Sequence, residues 1–243
     1  MRETTVKAIK KLVILCMAIY ALAVTAAAQS TWKLSKDLLA TNNQISFNQG
    51  SNGVWYFLQS SSPKHDKKTY KFLTDYSAPC KTNAAEALIP GVDCWRNPNL
   101  DPQGNNAPLV GANFTYHTQF PNLASGDPFS IPARSVWMHP GFFGELAIIG
   151  WKSPITGTVN VSGFFSDLDP NCGNGIIWSV DKSSLQANQT LTTGTIANGG
   201  PPQSYSLSGI SVSAGQVLYF IVDPNQDYFC DSTGVDVTIS KTP

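Results

Sequence analysis

The second half of the chain is built from short runs in which apolar and polar residues alternate. In "GTVNVSGFF", Val159 and Val161 fall on one face and Thr158, Asn160 and Ser162 on the other. "GIIWSVDK" aligns Ile176, Trp178 and Val180; "SYSLSGISVS" alternates through Tyr205, Leu207, Ile210 and Val212; "GVDVTIS" does so through Val235, Val237 and Ile239. "GQVLYFIVD" is apolar on both faces, as a central strand requires, and "ELAIIGWKSP" adds one more strand. A period of two is the period of a β-strand. Gly, Pro, Asn and Asp separate the runs at intervals of about 8–15 residues, a spacing that predicts an antiparallel sandwich or barrel.

The first half is less regular. "QISFNQG", "GVWYFLQS" and "KTYKFLTD" read as strands, and "ANFTYHTQF" and "SVWMHPGFF" as strands or extended segments. "DLLATN" and "NAAEALI" are each suited to a helical turn. The segment from Ser77 to Pro108, rich in Pro, Asn and Gly, is expected to be a long loop excursion. The first half alone has too few regular strands for a sandwich of its own, so one domain over residues 29–243 is expected.

The N-terminus has the pattern of a secretion signal. Arg2, Lys7, Lys10 and Lys11 precede the apolar run "LVILCMAIYALAV", and small residues follow at Ala26–Ala28. Cleavage is expected after Ala28, with residues 1–28 as the signal peptide. The run is short for a membrane span, and no second one follows. Removing four basic residues and one acid leaves 12 basic and 15 acidic residues, a net charge of −3. The densest basic cluster is Lys64, Lys67, Lys68 and Lys71. Such sparse charge argues against a nucleic-acid partner. Secretion to the periplasm, cell surface or medium makes disulfides the expected state of Cys80, Cys94, Cys172 and Cys230. Cys80–Cys94, closing a short loop in the excursion, and Cys172–Cys230, joining two loops at one end of the sheet, are the favoured pairs. Each would stabilise the fold by about 3–4 kcal/mol through the unfolded chain.

Several short patterns carry a resemblance. They are Trp151 and Pro154 before the Gly157 strand, Ser162–Gly163, Gly173–Gly175, Ala214–Gln216, Asp231–Thr233 and the opening "FNQGSNGVWYF". Together they resemble a jelly-roll module common in exported bacterial proteins and similar to carbohydrate-binding modules. The resemblance covers most of residues 29–243. It implies an all-β, antiparallel β-sandwich of jelly-roll type and is compatible with glycan binding. Its motifs belong to the fold and not to an activity.

The chemistry is sparse. His65, His117 and His139 lie in no metal-binding motif, and no G-x-S-x-G elbow occurs. Only Glu86 and Glu145 remain as glutamates beyond residue 28, and nothing in the pattern marks two carboxyls across a cleft. Asp167, Asp169 and Asn171 alternate as at the start of a calcium loop, and Asp231 on a facing loop would add a ligand. Cys172 stands where an EF-hand needs glycine, and Trp178 where it needs an acid. The same residues also suit a polar turn. Ca2+ in this loop is therefore the one cofactor weighed against none. Sugar-binding sandwiches use exposed aromatic rings, so Trp95, beside Cys94, is the first candidate platform, followed by Tyr228 and Phe229. Trp178 shares a face with Ile176 and Val180 and is expected in the core. The sequence thus points to a secreted, non-catalytic module binding extracellular glycan or polysaccharide. A structural or adhesive surface protein is the alternative, and a hydrolase comes third.

Overall fold

The alternating runs pair into two antiparallel sheets that face each other. The computed structural model describes residues 30–39, 49, 53–81, 88–121, 129–185 and 187–242. Residues Thr31–Pro243 form one compact unit. In chain order the elements are β1 (Thr31–Lys33), α1 (Leu34–Leu39), β2 (Trp55–Gln59), a 3-10 turn (Lys67–Thr69), β3 (Lys71–Phe72) and β4 (Asp75–Ser77). Then follow β5 (Val92–Arg96), β6 (Leu109–Asn113), β7 (Val136–His139), β8 (Ala147–Lys152) and β9 (Gly157–Asp167). The last five are β10 (Ile176–Lys182), β11 (Gln189–Ile196), β12 (Gln203–Val212), β13 (Val217–Asp223) and β14 (Thr233–Lys241).

The eight-stranded sheet runs β12-β9-β14-β7-β6-β5-β4. On one edge β14 pairs with β9 from Thr233 to Lys241; its other edge is shared by β7 at Thr233–Val235 and β1 at Thr238–Ser240. The six-stranded sheet runs β11-β10-β13-β8-β2-β3. The expected antiparallel β-sandwich is therefore the observed architecture.

The core lies between the sheets, where Phe57, Trp151, Val161, Phe165, Val180, Phe220 and Val237 are buried. Each such side chain contributes roughly 1.5–3 kcal/mol by leaving water. Trp178 is in this core as expected, stacked on Phe165 at 5.2 Å and on Tyr205 at 5.5 Å. A second cluster covers the outer face of the eight-stranded sheet, with Val92, Cys94, Leu109, Phe129, Ile131 and Trp137 buried there.

Both favoured disulfides are present: Cys80–Cys94 with Cα atoms 5.2 Å apart and Cys172–Cys230 with 5.5 Å. The pinned excursion also supplies β5, which pairs with β4 and β6 inside the sheet. "DLLATN" begins within α1, which starts three residues earlier than the pattern suggested. Residues 1–28, most of "QISFNQG" and most of "NAAEALI" lie outside the described residues. No helix among the described residues is long and apolar enough to cross a membrane.

Candidate functional site

A pocket of about 190 Å³ opens on the outer face of the eight-stranded sheet. Its floor is Leu109 from β6 and Trp137 and His139 from β7. The floor follows from register. Leu109 lies opposite His139, and Gly111 opposite Trp137. Gly111 is needed there, because a Cβ would sit 2.4 Å from Trp137 Nε1. The walls come from loops: Asn105 and Ala107 before β6, Phe129 before β7, Asp169 after β9, and Tyr228, Phe229, Cys230 and Ser232 before β14.

The aromatic groups at this pocket form a continuous strip. Tyr228 meets His139 edge-on at 5.6 Å and Phe142 edge-on at 5.2 Å. Phe142 meets Phe143 at 5.0 Å, and Tyr228 meets Phe229 at 4.7 Å. Tyr228 is buried and His139 and Phe142 are half-buried, whereas Phe143 is 69% and Phe229 47% exposed. Tyr228 is held by its hydroxyl, which accepts from Asn105 Nδ2 at 2.9 Å and donates to Asp101. Burial first, and then the Asp101 bond, push its phenol up to about 12. His139 Nδ1 is 2.8 Å from the Pro140 carbonyl, an acceptor, so Nδ1 carries the proton. Burial lowers its pKa, so the ring is neutral and Nε2 is an acceptor.

The sequence candidates divide. Tyr228 and Phe229 both line the pocket, but of the two only Phe229 has an exposed ring; Tyr228 is 5% exposed. Trp95 does not line the pocket. It is buried, 7% exposed, and packs on Tyr76 at 5.2 Å. The correction has a simple cause: β5 is a strand, and its alternation turns Cys94 to the outer cluster and Trp95 into the core. Phe142 and Phe143 were missed, although the doublet "GFF" after a Pro-Gly turn was a visible signal.

The loops between β9 and β10 and between β13 and β14 adjoin the pocket through Asp169 and Cys230. The Cys172–Cys230 disulfide ties them. Gly173 (φ +80°) allows this approach, since a Cβ there would overlap the Phe229 carbonyl. Asp167 behaves as a turn residue: Oδ1 accepts from Asp169 N at 2.8 Å and Oδ2 from Gly199 N at 2.7 Å. Asn171 is exposed on the loop. Asp231 is different. It is 2% exposed, and neither carboxylate oxygen has a hydrogen-bond partner. It lines a hollow of about 10 Å³ with Asp167, Gly175 and Thr233 among its neighbours. Burial, and then Asp227, Asp167, Asp223 and Asp169, raise its pKa to about 9. Among the described residues, no three His, Cys, Asp or Glu side chains form a group ready to hold a metal ion.

One other polar group resembles a catalytic relay and is not one. His65 Nδ1 is 2.8 Å from Asp181 Oδ2 and 3.5 Å from Ser179 Oγ. A Ser-His-Asp relay uses the two ring nitrogens for the two partners. Here both partners approach the same nitrogen.

No protein-family model matches the chain, and no curated protein matches it. Several solved carbohydrate-binding modules are similar to it. TmCBM61 in complex with β-1,4-galactotriose is 9% identical with a TM-score of 0.30, over 44% of this chain and 70% of that one. CsCBM6-3 from Clostridium stercorarium in complex with cellobiose is 13% identical with a TM-score of 0.27, over 44% and 76%. The arabinose-bound α-L-arabinofuranosidase MgGH51 is 10% identical with a TM-score of 0.34. That match covers 79% of this chain and 27% of the enzyme. At such TM-scores these are similarities only, and what this chain binds has to be argued from its own pocket.

Proposed function

We propose that residues 29–243 form a secreted, non-catalytic binding domain for extracellular carbohydrate, released by cleavage of residues 1–28. One observation carries this: the strip Phe143–Phe142–Tyr228–Phe229, exposed at both ends, borders a pocket whose polar groups include Asn105, His139 and Asp169. Sugars present C–H faces and hydroxyls together. The negative face of an aromatic ring attracts the first, and fixed amide, imidazole and carboxylate groups orient the second. Asp169 is the single carboxylate among the described residues lining the pocket, whereas glycoside hydrolysis uses a pair.

The test is a glycan-array screen of residues 29–243 beside Phe229→Ala and Phe143→Ala. Both rings are exposed, so neither substitution should lower Tm. The Phe229 variant should bind a hit glycan at least about tenfold more weakly, the loss of one anchoring ring. Release of reducing ends from the hit would turn the assignment to a hydrolase. Hits on no glycan, or hits indifferent to both substitutions, would move it to a protein-contacting surface domain.

A cation reading is favoured by Asp231. Buried carboxylates without partners are rare, because each stranded oxygen keeps its full desolvation cost. Ca2+ between Asp231 and Asp167 would supply the missing partner. Such an ion takes roughly six to eight oxygens, so loop carbonyls and water would complete its shell. When bound it would draw the two disulfide-linked loops together and hold Asp169, Tyr228 and Phe229 in place at the pocket.

A further inference from the structure

The other sheet carries a second hollow, of about 330 Å³, on its outer face. Tyr56 and Leu58 of β2, Phe72 of β3, Lys152 of β8 and Val217 and Tyr219 of β13 line it, and Gly150 of β8 adds no side chain. The register sets Tyr56 of β2 on one side of this glycine and Tyr219 of β13 on the other. A Cβ at Gly150 would meet Val217 Cγ1 at 3.3 Å and Leu58 Cδ1 at 3.4 Å. The buried glycine thus lets Val217 and Leu58 close over β8 between the two tyrosines. More rings extend the hollow. Tyr70 meets Tyr219 edge-on at 5.0 Å, and Phe72, 50% exposed, meets Tyr56 at 5.8 Å.

Charge distinguishes this hollow from the pocket. Lys67, Lys71 and Lys152 line it, and no acidic side chain does so among the described residues. Lys71 and Lys152 are exposed, and Lys67 Nζ donates to the Ser184 carbonyl. Two of these lysines come from the 3-10 turn and β3 and the third from the end of β8, so the fold gathers cations that the sequence separates.

We propose that this hollow binds an acidic polysaccharide, its carboxylate or sulfate groups on the lysines and its sugar faces on the tyrosine rings. The rings suit C–H surfaces, and ammonium groups are mobile point charges that suit scattered anionic substituents. Single-stranded nucleic acid also stacks on aromatic rings, but it asks for a groove of denser positive charge that tracks the backbone. The proposal stands on a different face from the pocket and does not depend on the assignment made there.

The test is affinity electrophoresis of residues 29–243 in gels containing polygalacturonate, heparin, neutral galactan or single-stranded DNA, at low salt and at about 0.15 M, where isolated surface charges are screened. Polygalacturonate or heparin should retard the protein at both salts, and galactan should not do so through this face. Lys71→Gln and Lys152→Gln should each weaken retardation about 2- to 5-fold, the range of one exposed charge contact, with Tm unchanged. Tyr56→Ala should remove one ring face and weaken it about tenfold, while Phe229→Ala should leave it as it was. The proposal is overturned if neither acidic polymer retards the protein, or if the lysine variants behave as wild type. It is also overturned if DNA binds as tightly as polygalacturonate, which would make the hollow a nucleic-acid or general anion site. Loss of pocket binding in Phe229→Ala with polygalacturonate retardation intact would separate the two sites.

Discussion

Replacing Asp231 with Asn should stabilise the cation-free protein at neutral pH and abolish its response to calcium. The magnitude follows from the site. In the unfolded chain the carboxyl titrates near 3.8, and in the fold near 9. Because the folded value is the higher one, the contribution to stability is fully present below about 3.8 and is lost as pH rises toward 9. At pH 7 folding must take up a proton. That is about 3 units at 1.36 kcal/mol each, so on the order of 4 kcal/mol relative to acid conditions. Asn cannot ionise and escapes this cost, apart from what its own amide loses by burial. Thermal melts in EDTA should therefore show the wild type losing Tm from pH 5 to pH 8 and Asp231→Asn holding level. Calcium at about 100 times its dissociation constant would add about 2.7 kcal/mol. For a domain of this size that is a rise of about 5–11 °C. The rise should be larger at pH 8 than at pH 5, since binding must displace the proton, and absent in the variant. A wild type indifferent to both pH and calcium, or a variant that responds to calcium as the wild type does, would refute this account of Asp231.

Two further outcomes test the frame around these sites. His65 is raised above its ordinary value, first by its hydrogen bond to the fully buried Asp181. Its contribution is therefore present below about pH 6.5 and lost as pH rises through the higher folded value, and urea unfolding should show His65→Gln losing about 1 kcal/mol at pH 5.5 and less at pH 8.5. The double variant Cys172→Ser, Cys230→Ser opens a crosslink spanning 58 residues and should cost about 4 kcal/mol by chemical denaturation, with weakened glycan binding because Cys230 lines the pocket.

What the sequence disclosed depended on whether a strand shows one face to water. β9 and β14 alternate between core and solvent, so Val159, Val161, Val237 and Ile239 could be assigned without coordinates. β5 could not. Its residues Val92 to Trp95 are buried on both faces, in a setting of Pro, Gly and Asn that reads as loop, and Trp95 was misplaced with it. β11 escaped for the opposite reason. "QTLTTGTI" is a largely exposed edge strand, and Gly194 lies under the Trp178 ring, so no apolar period marks it. The pocket was half legible. Tyr228 and Phe229 were visible as loop aromatics, but His139 and Phe142 meet them only because β7 is laid beside β14. The partnerless state of Asp231 is a property of burial, which no spacing of acids displays.

The placement of β14 also sets the order in which this fold can come into being. It is the strand on which β9, β7 and β1 all pair, yet it follows every one of them in the chain. While a ribosome still holds residues 233–241, β9 lacks one neighbour, and β1 lacks β14, its partner across some 200 intervening residues. Contacts so distant in sequence are slow to form. The eight-stranded sheet thus stays open until the strand at its centre is released, and until then its two halves are held together by nothing but the chain between them.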